Sequence, residues 1–272
     1  MYKHKLYRIT NKTPLHVGSG DTNFDIVDKQ IQRDSLTSYP TIHASSLKGA
    51  LKEYACFRHN EEESKNFIAH IFGDDDNSGK VRFTQAHLLS VPMRSDTDPY
   101  YNCTSPKAIE QLLDTVDTFG LSLSQKAALQ KIAAYKGDEP LIATGSAIIE
   151  DVNAKASEDY DFAALETIIG SPAAIIPNKL FAEMLKDLPV IARNQLENGE
   201  SKNLWYEEVL PRESKFFTLI SEPTYLNIAD EKKLQNAFDR FSEYLTDTNT
   251  IHIGANASIG YGVTKFEELG DE

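Results

Sequence analysis

The strongest constraint on what this chain can fold into is the hydrophobic period at its two ends. Lys3 to Thr10 places Leu6 and Arg8 on one side and Tyr7 and Ile9 on the other, the two-residue alternation of a β-strand. The C-terminal run IHIGANASIGYGVTKF reads as strand, glycine loop, strand. Inside these ends the period lengthens. In SSLKGALKEYACFRHN, Ser45 stands as an N-cap before Leu47, Leu51, Tyr54 and Ala55, which share one helical face. In EKKLQNAFDRFSEYL, Leu234, Ala237, Phe238, Phe241 and Leu245 do the same. Strands at both termini with helices after Ser45 and from Glu231 predict an α+β fold, with helices on one face of an antiparallel sheet.

Between these elements, EEESKNFIAHIFG reads as a short helix ending at Gly73, followed by an acidic turn from Asp74 to Gly79. KVRFTQAHLL resumes strand alternation, and SPKAIEQLLDTVDTFG opens a helix with Ser105 as cap and Pro106 in the first turn. Pro92 to Cys103 and Ser122 to Glu139 read as the loop and helix of an insertion. From Leu188 the pattern becomes a long hairpin: Val190 to Leu196 and Leu204 to Leu210, joined by the polar ENGESKN with its Asn-Gly turn signal. No repeat and no long linker divides the 272 residues, so one domain is expected.

Composition narrows the setting. The longest apolar runs fall far short of the roughly 20 residues a membrane helix needs. The basic start MYKHKLYRIT has no apolar core of a secretory signal. Cys56 and Cys103 lack CxxC spacing, which predicts reduced thiols in the cytoplasm and no zinc cluster. A net charge of -13 argues against a uniformly nucleic-acid-binding surface. Its distribution is uneven. From Met1 to Arg58 nine Lys/Arg stand against five Asp/Glu, about +4, which leaves about -17 for the rest. A basic N-terminal face on an acidic body suits one polyanion-binding surface, although ordinary surface variation explains the asymmetry equally well.

Several motifs can be discarded. Gly18 and Gly20 lack the Lys-Ser/Thr of a P-loop, and Asn23 stands where a dinucleotide fingerprint needs its third glycine. The Asp74 turn lacks the closing Glu of a calcium loop, with Gln85 in that place. Four aspartates remain in the stretch LHVGSGDTNFDIVDKQIQRD: Asp21, Asp25, Asp28 and Asp34. Asp28 follows the apolar Ile26 and Val27 and precedes Lys29 and Arg33, so it reads either as an ionised carboxylate where a phosphate would be drawn or as an ordinary Asp of a surface loop, the commoner case. His16 is a candidate acid or base, or a structural hydrogen-bonder. Ser45, Ser46 and Lys48 gather hydroxyls, amides and a cation in one first helical turn, an arrangement for anions as well as a plain cap. Gly254, Gly260 and Gly262 permit close backbone approach, and Val190, Ile191, Trp205 and Tyr206 on the hairpin serve either as stacking groups or as core.

The order of these blocks is more telling than any one of them. LHVGSG, FDIVDKQIQRD, YPTIHASSLKGALKEY, IFGDDDNSGKVRFTQAHLL, LPVIARNQLENG, LWYEEVLPRESKFF and IHIGANASIGYGVTKF together resemble the RAMP superfamily of CRISPR proteins. Within it, IVDKQIQRD and LWYEEVLP are most similar to the repeated backbone subunit of the type III-B, or Cmr, effector complex. The resemblance runs end to end except for Pro92 to Pro177. It implies an RRM-like, ferredoxin-like palm, an inserted helical region at about 92–177 and a β-hairpin thumb at about 188–215. Copies would stack along a guide RNA beside other Cmr subunits and cut a complementary target RNA once per copy. By the same resemblance Asp28 is the cleaving residue, with Mg2+ or Mn2+ as cofactor and Asp28 as a possible ligand; His16 is a secondary candidate. Arg33, Ser45, Ser46, Lys48, Lys52, Gly260 and Gly262 would contact RNA, and Val190, Ile191, Trp205 and Tyr206 would form the thumb surface. A purely structural RAMP subunit, or a ribonuclease that processes the guide, are the rival expectations.

Overall fold

The computed structural model describes residues 2–20, 27–58, 62–224, 236–247 and 250–270. Among them the strands are, in chain order, β1 (Tyr2–Asn11), β2 (Thr41–Ile42), β3 (Arg82–Phe83), β4 (Ala86–Met93), β5 (Tyr101–Thr104), β6 (Leu141–Ile142), β7 (Ser146–Ile149), β8 (Val152–Ala156), β9 (Ala173–Ile175), β10 (Val190–Glu197), β11 (Glu200–Glu208), β12 (Lys215–Pro223), β13 (Ile251–His252) and β14 (Val263–Leu269). The helices are α1 (Ala44–Arg58), α2 (Glu62–Phe72), α3 (Pro106–Thr118), α4 (Lys126–Ala133), α5 (Phe162–Ile169), α6 (Asn178–Met184) and α7 (Ala237–Thr246).

One large sheet runs β13-β14-β1-β12-β4-β5-β9-β6-β8-β7, and β10 with β11 forms a separate hairpin. The two ends of the chain meet in the large sheet: β1 pairs antiparallel with β14 on one side and β12 on the other. The segment read as an insertion extends this sheet through β4 and β5, with parallel pairs at β5–β9 and β6–β8.

Helices cover both faces, where the sequence pattern predicted one. Tyr7, Ile9, Phe216 and Ile220 point into a core with Leu47, Leu51 and Ala55 of α1, Phe67 and Ile71 of α2, and Phe238 and Phe241 of α7. Leu6, Phe217 and Leu219 point the other way, onto Ile109, Leu112 and Val116 of α3, Leu129 of α4 and Leu165 of α5. The run FFTLI in β12 is buried throughout and apolar but for Thr218, because both sides of that strand are covered, and the inserted helices supply the second cover.

Local signals largely hold. Ser105 caps α3, accepting the Ala108 amide at 3.2 Å, with Pro106 in the first turn. Helix α1 begins at Ala44, so Ser45 lies in its first turn and the His43 carbonyl accepts the Leu47 amide at 3.0 Å. In the hairpin, Asn198 and Gly199 have φ of 53° and 87°, as a tight two-residue turn requires, and most of ENGESKN is strand instead of loop. For the expected helix from Glu231, Ala237–Thr246 is helical and Leu234 lies outside the described residues.

Candidate functional site

The chain leaves β1 and is stitched to the root of the hairpin: Leu15 and Leu210 exchange backbone hydrogen bonds at 3.0 and 2.9 Å. Past Gly18 it returns beside itself, with the Ser19 amide donating to Gln30 and the Gln32 amide to Val17. Val27 to Gln30 then lies along β11. The Lys29 amide donates to the Tyr206 carbonyl at 3.1 Å, and the Glu208 amide donates to the Lys29 carbonyl at 2.9 Å. Asp28 immediately precedes these contacts, and its Oδ2 accepts the Tyr206 amide at 2.8 Å. A partly exposed carboxylate is thus held by backbone at the base of the hairpin, with its other oxygen uncommitted among the described residues.

That position separates the aspartates. Asp34 accepts from the Leu36 and Thr37 amides, the Thr37 hydroxyl and the Gln85 amide group, so it organises a turn. Burial would raise its carboxyl, but the Thr37, Leu36 and Gln85 donors hold it below the ordinary value. Asp21 and Asp25 lie outside the described residues.

Two adjacent acids that the sequence pattern did not single out organise the root. Glu207 is 2% exposed. Its Oε1 accepts from Lys29 Nζ at 3.0 Å and Trp205 Nε1 at 2.8 Å, and its Oε2 from Arg193 Nε at 3.2 Å and Asn256 Nδ2 at 2.9 Å. Burial by itself would raise this carboxyl; the Trp205 and Lys29 hydrogen bonds, the Lys29 charge and Arg193 bring it down to about 2. Glu208 accepts the Ile31 amide at 3.0 Å and pairs with Arg33. The signal was present in LWYEEVLP: two acids inside an apolar strand must find donors or stay out of the core.

The expected site residues divide into those this root gathers and those it does not. Arg33 is occupied by Glu208 and by the carbonyls of Ser38 and Leu185, which makes it a brace of the root in place of a free RNA contact. His16 is 3% exposed, and its Nδ1–H donates to the Glu208 carbonyl at 2.7 Å, so the ring acts as an internal tie. Trp205 turns inward to Glu207 with Lys29 Nζ 5.0 Å above its ring. Tyr206 and Val190 are exposed, Ile191 is half-buried, and the outward apolar surface of the hairpin also includes Leu196 and Leu204.

The C-terminal loop joins the same root. Its Ala255 amide donates to the His16 carbonyl at 2.9 Å, and Arg193 lies 4.6 Å over the Tyr261 ring. Gly254, at φ +86°, admits this approach, because a Cβ there would stand 2.4 Å from the His16 oxygen. Gly262 donates to the Pro14 carbonyl and closes the loop, whereas nothing crowds Gly260. An open cleft of about 680 Å³ runs between Gly18, Ser46 and Tyr54 on one side and His252, Gly254 and Ser258 on the other. Ser46 is tied to Gln32 at 2.9 Å, Ser45 is exposed, and half-buried Lys48 has no ion pair among the described residues. Lys52 points elsewhere, to the Gly73 carbonyl at 3.3 Å.

Residues 8–265 match the RAMP superfamily. This chain belongs to that superfamily. Among its relatives, the CRISPR system Cmr endoribonuclease Cmr4 of Pyrococcus furiosus is 27% identical over 280 positions, spanning 93% of the RAMP chain described here and 91% of its own. The CRISPR system CMR subunit Cmr4 of Saccharolobus solfataricus is 38% identical over 94 residues, 34% of this chain and 30% of that one. Solved structures share the RAMP fold. A type III-B Cmr-beta structure bound to cognate target RNA superposes with a TM-score of 0.79 at 22% identity, covering 98% of this chain and 97% of that chain. Oligomeric Cmr4 from Pyrococcus furiosus gives 0.73 at 24% identity, covering 98% of each.

The donors among the described residues do not make a metal site held by the chain; Asp21 and Asp25 lie outside them. Among the described residues no three His, Cys, Asp or Glu side chains converge, and Asp28 is a single donor. No helix among them is long and apolar enough to cross a membrane.

Proposed function

We propose that this chain is the guide-RNA-binding backbone subunit of a cytoplasmic type III-B CRISPR interference complex and cleaves complementary target RNA at regular intervals, one cut per copy. The observation that carries the reading is Asp28: a carboxylate fixed by the Tyr206 amide at the root of an exposed hairpin, one oxygen still available. The naming of the Pyrococcus relative as a Cmr endoribonuclease supports it, as does a shared fold with complexes bound to target RNA. Copies of the chain would stack with the other Cmr subunits along the guide RNA, which would lie in the cleft lined by Ser46 and Tyr54 of α1 and by Gly254 and Ser258, with Lys48 near the start of the same helix.

The chemistry follows from geometry. The hairpin, with Val190, Leu196, Leu204 and Tyr206 facing outward, is the wedge that unstacks a target nucleotide. An unstacked nucleotide can set its 2′-hydroxyl in line with the adjacent phosphorus, and alignment of that kind supplies a large part of the acceleration. Asp28 accepts the hydroxyl proton, the P–O2′ bond forms and the P–O5′ bond breaks, leaving a cyclic phosphate and a 5′-hydroxyl. His16 and Arg33 hold the root in place. A Mg2+ or Mn2+ ion would find one protein donor among the described residues there, Asp28.

The test is Asp28→Ala in the assembled complex. Complex mass, co-isolated guide length and target affinity stay unchanged while the ladder of regularly spaced cuts disappears. Undiminished cutting overturns the assignment. A wild-type complex that binds matched target but never shortens it, with Mg2+ or Mn2+ supplied, reduces the chain to a positioning subunit.

A further inference from the structure

Resting on the Asp28 reading, we infer that Lys29 is a second catalytic residue, whose ammonium donates hydrogen bonds to the phosphoryl group on the leaving side of the target RNA. A phosphodiester under attack accumulates negative charge, and preorganised donors aimed at it are the largest single source of stabilisation in such reactions. The two arginines that join Lys29 on Glu207 and Glu208 are engaged. Arg33 is held by Glu208 and two carbonyls, and Arg193, 20% exposed in its side chain, by Glu207 and the Tyr261 ring. Lys48 belongs to α1, outside the hairpin root. The stretch 21–26 contains neither Lys nor Arg.

Lys29 differs on each count. Its side chain is 52% exposed, and its backbone is pinned on both sides by β11, through the Tyr206 carbonyl and the Glu208 amide. Of its three N–H donors, one meets Glu207 Oε1 at 3.0 Å, while the Trp205 face lies below. Glu207 is too buried to move outward, so it tethers the ammonium without removing it from solvent. The chain bends at Asp28 and bridges in parallel to Glu207 at Lys29, and the two side chains take different partners: the Asp28 carboxylate meets the Tyr206 backbone amide at the edge of β11, the Lys29 ammonium the Glu207 side chain, so carboxylate and ammonium are held at separate positions. In-line displacement needs this division: the attacking 2′-oxygen and the departing 5′-oxygen stand on opposite sides of phosphorus. Asp28 serves the first and Lys29 the second.

The step balances without a change in Lys29. The 2′-hydroxyl proton passes to Asp28 as P–O2′ forms and P–O5′ breaks; the 5′-oxygen takes a proton from water, and Asp28 returns its own to the hydroxide. Lys29 stays protonated throughout.

The experiment compares Lys29→Met, Lys29→Arg and Lys29→Gln in the assembled, guide-loaded complex under single turnover with saturating target. Lys29→Met slows cutting by about 100-fold, the scale of losing one such donor, while target Kd and guide content stay within about threefold, because one of many phosphate contacts is lost. Lys29→Arg recovers most of the rate. Lys29→Gln can still hydrogen-bond to Glu207 but carries no charge, and it stays slow. A target carrying bridging sulfur in place of the 5′-oxygen at the cut site, a leaving group that needs little stabilisation, is cut by Lys29→Met at close to the wild-type rate. Equal rates for Gln and Arg, wild-type cutting by Met, or no recovery with the sulfur target each overturn the assignment. If Asp28→Ala is inert while Lys29→Met cuts normally, only Lys29 falls; if Asp28→Ala also cuts normally, the parent reading falls with it.

Discussion

Glu207 offers the sharpest test of how the root is held. Glu207→Gln keeps the shape of the side chain but replaces one acceptor oxygen with an NH2 group, which then faces donors from Lys29 and Trp205 or from Arg193 and Asn256. The linkage argument fixes both magnitude and sign. A carboxyl brought from 4.5 to about 2 against the cost of burial contributes roughly 3 kcal/mol at neutral pH, by about 1.4 kcal/mol for each tenfold change in affinity for the proton. This agrees with the roughly 3 to 5 kcal/mol lost on breaking buried ion pairs. Because the folded value lies below the unfolded one, the contribution is complete above about 4.5 and disappears as pH falls toward 2. Urea titration of the full chain at pH 7 therefore shows Glu207→Gln less stable by about 3 kcal/mol, with Tm lower by about 6 to 12 °C. The gap between wild type and variant closes as the titration is repeated below about pH 4.5. A gap under about 1 kcal/mol at pH 7, or one that persists unchanged near pH 2, refutes the account of Glu207 as a buried anion shared by four donors.

Two further outcomes test other parts of the fold. Lys215, 6% exposed and hydrogen-bonded to Asn102 Oδ1 at 2.8 Å, is pushed down to about 8 by burial, with Arg8 and Lys12 adding to the effect. The folded state resists its charge below about 8, so stability attributable to this group rises between about 8 and 10.5; Lys215→Met removes that rise in paired urea titrations across this range. At Gly254, Gly254→Ala places a Cβ 2.4 Å from the His16 carbonyl oxygen at a φ of +86°. Thermal unfolding of that variant comes earlier, by at least about 2 kcal/mol, and faster amide exchange at Ala255 marks the loss of its bond to His16.

How much of this was legible beforehand depended on the range of the interaction. Short-range signals carried well: the alternation of β1, the Ser105-Pro106 start of α3 and the Asn-Gly turn of the hairpin each depend on neighbours in sequence. The two-faced sheet did not, because strand alternation shows which side a residue faces and says nothing of what lies beyond it. The run in β12, apolar on both sides, was the available clue. Within the candidate site, Asp28 was legible from its block, but the reason it stands apart from Asp34 was not. That reason is a set of four donors to Asp34, one of them from Gln85, far along the chain. The pattern leaves His16 open between acid-base chemistry and a structural hydrogen bond, and the resemblance makes Arg33 an RNA contact, because a polar side chain in a loop carries no mark of a distant acceptor. Both find an acceptor on Glu208, 192 residues from His16 and 175 from Arg33.

The paired acids of LWYEEVLP also explain how a chain of net charge -13 can serve RNA as proposed. Lys29, Arg33 and Arg193 are each matched to Glu207 or Glu208, so the root is close to neutral within itself while its cations stay ordered. At its hairpin root, an isolated copy then offers a phosphate backbone little unmatched charge among the described residues, chiefly the exposed flank of Lys29, and its affinity for RNA is weak and sensitive to salt. Stacked copies present the same few charges at regular intervals along one strand, and affinity grows by linkage between sites without requiring any single basic patch. Such an arrangement disfavours stray polyanions, which meet an acidic body, and admits an RNA threaded through many copies. Buried carboxylates that look out of place in a nucleic-acid-binding chain are therefore what keeps its cations positioned and its surface selective.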